Sequence, residues 1–193
     1  MKPLNDIFKG VFAISATPFD SEGLLDLESA QTLVDFYVNC GVRGITILGV
    51  MGEAQKLSAE EALNFTQCIL RRVAGRIPVF VGITNSDRSA MKNLSDYAME
   101  LGAAGVMVAP QPGLVGDDAV YNYLNDVFEL LGSDVPVCIQ DFPPANGVKM
   151  SLNVVTRLIN ERLQFVIFKH EDCPGLAKLT KLRGMMSDEK CRR

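Results

Sequence analysis

Two periods of apolar and polar positions alternate along this chain. Short runs rich in apolar and β-branched residues fall at Gly10–Phe19, Gly44–Val50, Pro78–Thr84, Gly105–Pro110, Val135–Phe142 and Phe165–His170. Runs of that length predict buried strands. The stretches between them repeat apolar residues at helical spacing and predict helices over Asp26–Cys40, Ser58–Ala74, Ser86–Leu101, Asp117–Leu131, Ser151–Asn160 and about Gly175–Met186. Ser58 followed by Glu61 reads as a capping box, in which the serine hydroxyl and the glutamate carboxylate each bind the other's backbone N–H. Gly41, Gly75, Gly102 and Gly132 stand where helices should stop.

Strand, helix, strand at this spacing implies βαβ units and a parallel sheet, either an open doubly wound sheet or a closed (β/α)8 barrel. After the first strand the sequence lacks the GxGxxG dinucleotide fingerprint, and it lacks the P-loop, which weakens a nucleotide-binding sheet. Polar and special residues instead gather where several strands end: Thr17-Pro18-Phe19, Gly49 to Glu53, Thr84, Gln140-Asp141 and Lys169-His170-Glu171. In a barrel those ends converge on one mouth, where active sites are built, so the expected fold is α/β of the TIM-barrel type. One domain spanning residues 1–193 is expected, holding six of the eight βα units that closure requires. The chain therefore reads either as a C-terminally truncated barrel or as an open sheet stabilised in some other way.

Composition narrows the classes of function. With 48% hydrophobic residues the chain can bury a sizeable core, and a net charge of −4 speaks against a nucleic-acid footprint. The basic pairs Arg71-Arg72 and Arg192-Arg193 read as solvated faces. Cys40, Cys68, Cys138, Cys173 and Cys191 form no CxxC pair and have only one histidine to help them, which implies reduced thiols and no metal site. No signal peptide and no membrane-length apolar run is seen, so a cytoplasmic protein without membrane or nucleic-acid partners is expected.

Lys169 closes the run Phe165-Val166-Ile167-Phe168. Either the strand ends there with its lysine in solvent, or desolvation yields a neutral amine able to attack a ketone and form a Schiff base. Side chains alternate along a strand, so Lys169 and Glu171 share one face and His170 takes the other. His170, the lone histidine, is then expected to be packed or hydrogen-bonded rather than a catalytic base. On the fifth strand Gln140 shares a face with Cys138 and Phe142, opposite Asp141. It could orient a water or a substrate hydroxyl, or merely satisfy backbone groups. The turn Gly49-Val50-Met51-Gly52-Glu53 could present the N–H groups of Val50, Met51 and Gly52 to a carboxylate, or could be a plain tight loop. Thr17, after strand one, is a further candidate substrate contact. Cys138 and Cys173 have no histidine beside them, which argues against thiol catalysis.

Taken together, these residues resemble the dihydrodipicolinate synthase/N-acetylneuraminate lyase family of Schiff-base barrel enzymes. The resemblance runs from about Gly10 to the end of the chain. It rests on Thr17-Pro18-Phe19, Gly49-x-x-Gly52-Glu53, Leu57-Ser58-x-x-Glu61, Gly75-Arg76-x-Pro78-Val79, Gly102-Ala103-x-Gly105 and the strand-six Lys169. It implies a (β/α)8 barrel, a homotetramer, and an imine between Lys169 and pyruvate or another 2-oxo acid, with no cofactor. The departures are as specific. Val50 and Met51 replace the two threonines of the usual Gly-Thr-Thr-Gly-Glu turn. Pro110-Gln111-Pro112 stands for Pro-Tyr-Tyr, Gln140-Asp141-Phe142-Pro143 for Tyr-Asn-x-Pro, and Ala145 for the synthase's substrate-binding arginine. The synthase's hydroxyl relay is thus lost at Val50, Pro112 and Gln140. Gln-Asp-x-Pro on strand five with Lys-x-Glu on strand six is similar to the 2-keto-3-deoxy-L-arabonate dehydratase branch, in which the glutamate takes the acid–base role. That implies a lyase dehydrating a 2-keto-3-deoxy sugar acid, with Lys169, Glu171 and Gln140 catalytic. A pyruvate-dependent aldolase using the same imine and a catalytically inactive truncated barrel are the alternatives.

Overall fold

The computed structural model describes residues 8–187, and Cys191, Arg192 and Arg193 lie outside them. The elements alternate as the patterning predicts: β1 (Phe12–Ile14), α1 (Leu27–Asn39), β2 (Gly44–Ile47), α2 (Ala59–Val73), β3 (Val79–Gly82), α3 (Arg88–Glu100) and β4 (Gly105–Val108). These are followed by α4 (Asp117–Leu131), β5 (Val137–Asp141), a single-turn α5 (Pro143–Asn146), α6 (Leu152–Glu161), β6 (Phe165–His170) and α7 (Leu176–Ser187). A 3-10 turn at Ala54–Lys56 and the short α5 were not expected. The chain divides into two compact units, Met1–Met107 and Val108–Arg193.

In the first unit β1, β2, β3 and β4 pair in parallel in chain order. β2 and β3 are buried along their whole length while β1 is half-buried. β1 is much shorter than the expected Gly10–Phe19. The ladder stops after the Ser15 N–H donates to the Thr46 carbonyl, and Pro18 has no N–H with which to resume it. Phe19 instead bridges to Leu25 in an antiparallel pair. Phe65 and Ile69 of α2 are buried together with Ile45, Ile47 and Phe80 of the strands. The capping box of α2 is present: the Glu61 N–H donates to Ser58 Oγ at 3.2 Å, and the Ser58 N–H donates to Glu61 Oε2 at 2.8 Å.

One close approach in this unit explains a glycine. Leu48, just past β2, holds a left-handed φ of 54°, a conformation that costs a branched side chain energy. A Cβ on Gly82 would lie 2.0 Å from the Leu48 carbonyl oxygen, so β3 must end on a glycine for the chain to turn there.

In the second unit β5 and β6 are parallel, with Gln140 opposite Lys169 and Asp141 opposite His170. The register shifts between Val137 and Cys138, and from Cys138 and Ile167 onward the alternation of side chains runs in step across both strands. β5 is fully buried and β6 half-buried throughout. Leu124 and Phe128 of α4 and Val155 and Leu158 of α6 are buried with Ile139. The two helices are also tied at the surface. The Tyr121 hydroxyl donates to Glu161, and the Arg157 guanidinium lies 3.5 Å from the Tyr121 ring centre. The tyrosine's hydrogen bond, and then Arg157, hold the Glu161 carboxyl below its ordinary pKa. Beneath β6, the Gln164 amide donates to the carbonyls of Phe128 and Gly132 and closes the end of α4.

Candidate active site

The ends of β5 and β6 carry two separate polar clusters, one on each face of the strand pair. On the first face Glu171 Oε2 accepts from Lys169 Nζ at 2.6 Å and from Gln140 Nε2 at 2.8 Å. Lys169 and Glu171 are partly exposed, at 20% and 33% of their side chains, whereas Gln140 is buried. Three residues named from the sequence as catalytic thus meet at one carboxylate oxygen. The amine stands in an ion pair, not alone in an apolar wall as desolvation had suggested. Its proton has an acceptor within hydrogen-bond reach, which is how a nucleophilic amine and its base are arranged.

Cys138 lies below Gln140 on the same face of β5 and is buried. Burial pushes its thiol up to about 12, against the opposing pull of the Lys169 charge. A thiol so placed stays protonated at neutral pH and gives the cluster a neutral floor. Burial of this kind works against the thiolate that thiol catalysis requires. Cys40, Cys68, Cys138 and Cys173 are all free thiols. Among the described residues no group of three or more His, Cys, Asp or Glu side chains could hold a metal ion.

The second face holds the residues that alternation placed opposite Lys169. His170 Nδ1 is 2.7 Å from Asp141 Oδ2, with both side chains almost completely buried. The imidazole also stacks on the Phe168 ring at a centroid distance of 5.4 Å. His170 is therefore packed and hydrogen-bonded, away from the Lys169 amine. Lys178 of α7 was not anticipated here. Its Nζ donates to Asp141 Oδ2 at 2.8 Å, to the Met150 carbonyl at 2.7 Å and to Asp172 Oδ2 at 3.3 Å. A signal was present in the sequence, because Lys178 lies four residues before Leu182, which is buried, and so shares its helix face.

In the first unit the Gly49–Glu53 turn has its own geometry. The Thr17 hydroxyl donates to the Gly52 carbonyl at 2.6 Å, so Thr17 braces this turn. A Cβ on Gly52 would come within 3.1 Å of the Ser15 carbonyl oxygen, which leaves little space for any other residue. The N–H groups of Glu53 and Ala54 close the turn onto the carbonyls of Val50 and Gly49. Among the described residues, no backbone carbonyl takes a hydrogen bond from the N–H of Val50, Met51 or Gly52. The Val50 and Met51 side chains are exposed.

Comparison with known proteins gives these features a context. The family model for the dihydrodipicolinate synthetase family matches residues 7–188. The crystal structure of a dihydrodipicolinate synthase from Rhodopseudomonas palustris superposes with a TM-score of 0.91 at 40% identity, covering 95% of this chain and 60% of that one. The 4-hydroxy-tetrahydrodipicolinate synthase of Oceanobacillus iheyensis is 26% identical over 182 residues, which are 94% of this chain and 60% of that protein. The L-2-keto-3-deoxyarabonate dehydratase of Azospirillum brasilense is 32% identical over 182 residues, covering 92% of this chain and 57% of its own length. The chain thus spans about three-fifths of the length of the relatives it matches. Its fold is that of a (β/α)8 barrel with six of the eight βα units present.

Proposed function

This chain belongs to the dihydrodipicolinate synthetase family, and from that premise we propose that it serves a lyase that dehydrates a 2-keto-3-deoxy sugar acid through a Schiff base on Lys169. One observation carries the reading: the Glu171 carboxylate binds both the Lys169 amine and the Gln140 amide. A carboxylate beside the amine can serve as the proton carrier at a site where a tyrosine relay is absent. The similarity to the Azospirillum brasilense dehydratase supports the same choice.

The proposed chemistry begins with transfer of the Lys169 proton to Glu171. The free amine adds to C2 of the 2-oxo acid, and the carbinolamine hydroxyl leaves as water with the proton from Glu171, giving a protonated imine. That imine withdraws electrons and acidifies C3. Glu171, returned to its carboxylate form, takes the C3 proton, and the electron pair moves into an enamine. The enamine expels the hydroxyl on the next carbon, which leaves as water with the proton that Glu171 held. Hydrolysis of the remaining imine frees Lys169 and the dehydrated acid. A positioned carboxylate in this role contributes ~10²–10⁴-fold. Gln140 orients the departing hydroxyl. The substrate carboxylate is assigned to the N–H groups of Val50, Met51 and Gly52, in the turn that Thr17 braces. No step calls on a metal or an organic cofactor. A homotetramer belongs to the same reading by family resemblance, and sedimentation would count its subunits.

Product analysis after incubation with 2-keto-3-deoxy pentonic acids tests the reading. Loss of one water with the carbon skeleton intact is the expected result. Release of pyruvate and an aldehyde would replace it with an aldolase, and consumption of pyruvate with aspartate semialdehyde would restore the synthase.

A further inference from the structure

The cluster on the other face of β5 and β6 takes no part in that chemistry, yet it is built at considerable cost. The Asp141 side chain is completely buried and the His170 side chain nearly so. Asp141 Oδ1 and His170 Nε2 have no hydrogen-bond partner among the described residues. Apolar side chains of similar volume would join two strands and a helix without that desolvation, often with greater stability. In some proteins buried ionic groups are kept in preference to such packing because they fix one geometry.

We propose that Asp141, His170 and Lys178 are positioning residues that fix the Lys169–Glu171 pair, an inference that rests on the Schiff-base reading above. The argument is one of register. Asp141 pairs with His170 across the strands, one step beyond the pairing of Gln140 with Lys169. The Glu171 N–H then donates to the Asp141 carbonyl at 2.8 Å, so the main chain of Asp141 holds Glu171 while its side chain holds His170. Every residue of the proposed catalytic trio is thus bonded to a member of the back cluster through one peptide or one backbone hydrogen bond. Lys178 adds a third point by joining α7 to Asp141, to Asp172 in the segment after Glu171, and to the Met150 carbonyl before α6. The segment is packed closely enough that a Cβ on Gly175 would lie 2.9 Å from His170 Nε2. A slip of the strand ends would move amine and carboxylate together off their target, and misplacement by about 1 Å can cost ~10²-fold in rate.

The test compares the full chain with Asp141→Asn, Lys178→Met and the double variant, using two readouts. One is the rate at which borohydride traps a pyruvate adduct on Lys169. The other needs no substrate: the Lys169 Nζ resonance of ¹⁵N-lysine-labelled protein, which a carboxylate partner displaces from the signals of exposed lysines such as Lys149. Both single variants are expected to trap ~10–100-fold more slowly, with the pyruvate concentration for half-maximal trapping little changed and the Nζ signal moved toward the exposed lysines. The double variant, in which buried carboxylate and ammonium are removed together, is expected to regain thermal stability but not the trapping rate or the signal position. Recovery of both with the melting temperature, or an unmoved signal in the folded single variants, would reduce the cluster to a strand clamp and overturn the proposal. If the parent chain traps no pyruvate at all, the Schiff-base reading fails on its own, and the Nζ signal alone decides whether the cluster positions the pair.

Discussion

Lys169 Nζ lies 2.6 Å from Glu171 Oε2, two residues further along the chain and just past the end of β6. The pair couples the amine proposed to form the imine with a carboxylate within hydrogen-bond reach of its protons. Glu171→Gln keeps the size and the hydrogen bonding of the side chain but removes the proton carrier. Dehydration by that variant is expected to fall ~10²–10⁴-fold, the usual contribution of a general acid–base. Steady-state kinetics with a 2-keto-3-deoxy acid would check this, and unimpaired turnover would remove Glu171 from the mechanism.

Gln140 is buried and shares the Glu171 oxygen with the lysine. Gln140→Leu is therefore expected to lower kcat for dehydration while leaving KM for the 2-oxo acid within about a factor of a few. A rise in KM at constant kcat would instead make Gln140 a substrate-binding residue.

Lys178 faces a completely buried carboxylate. Lys178→Met should destabilise the fold by about 3–5 kcal/mol, because Asp141 keeps its burial and loses its cation. Denaturant unfolding followed by circular dichroism measures this. Adding Asp141→Asn should recover most of the loss, and strict additivity of the two losses would contradict the pairing.

Much of this arrangement is legible in the sequence because it depends on alternation. Phe165 to His170 is a strand of known direction, so Lys169 and Glu171 had to share a face and His170 had to leave it. Helix limits were equally legible, since Ser58 with Glu61 and the terminal glycines act locally. What escaped is what long-range geometry decides. Lys178 reaches Asp141 across 37 positions, and nothing near it in sequence names that partner. The ion pair of Lys169 escaped for the related reason that a shared face does not say whether two side chains will touch. Strand ends escaped because Pro18 and the left-handed Leu48 stop the ladders sooner than the apolar runs end.

Gly82 should tolerate no side chain. The space for its Cβ is occupied by the Leu48 carbonyl at 2.0 Å, a backbone atom that cannot swing aside. Gly82→Ala is expected to cost at least about 1–3 kcal/mol, the range for overpacking a buried position. A melting temperature equal to the parent's would show that the turn after β2 relaxes.

Burial raises the Cys138 thiol from 9.0 to about 12. The unfolded chain releases this proton near pH 9 while the folded chain keeps it. The stability this group contributes is therefore complete below pH 9 and declines as pH rises toward 12. Cys138→Ala should have lower stability at neutral pH but a shallower alkaline decline in denaturant midpoint. A parallel decline in both proteins would assign the alkaline sensitivity elsewhere.

The central claim is that Lys169 forms an imine with a 2-oxo acid. Borohydride reduction of the chain in the presence of pyruvate, followed by peptide mass spectrometry, tests it most directly. A reduced pyruvyl adduct on the peptide containing Lys169, lost in Lys169→Arg and formed more slowly in Glu171→Gln, is the predicted result. An unmodified Lys169 in a folded, full-length protein, or an adduct that persists in Lys169→Arg, would contradict it.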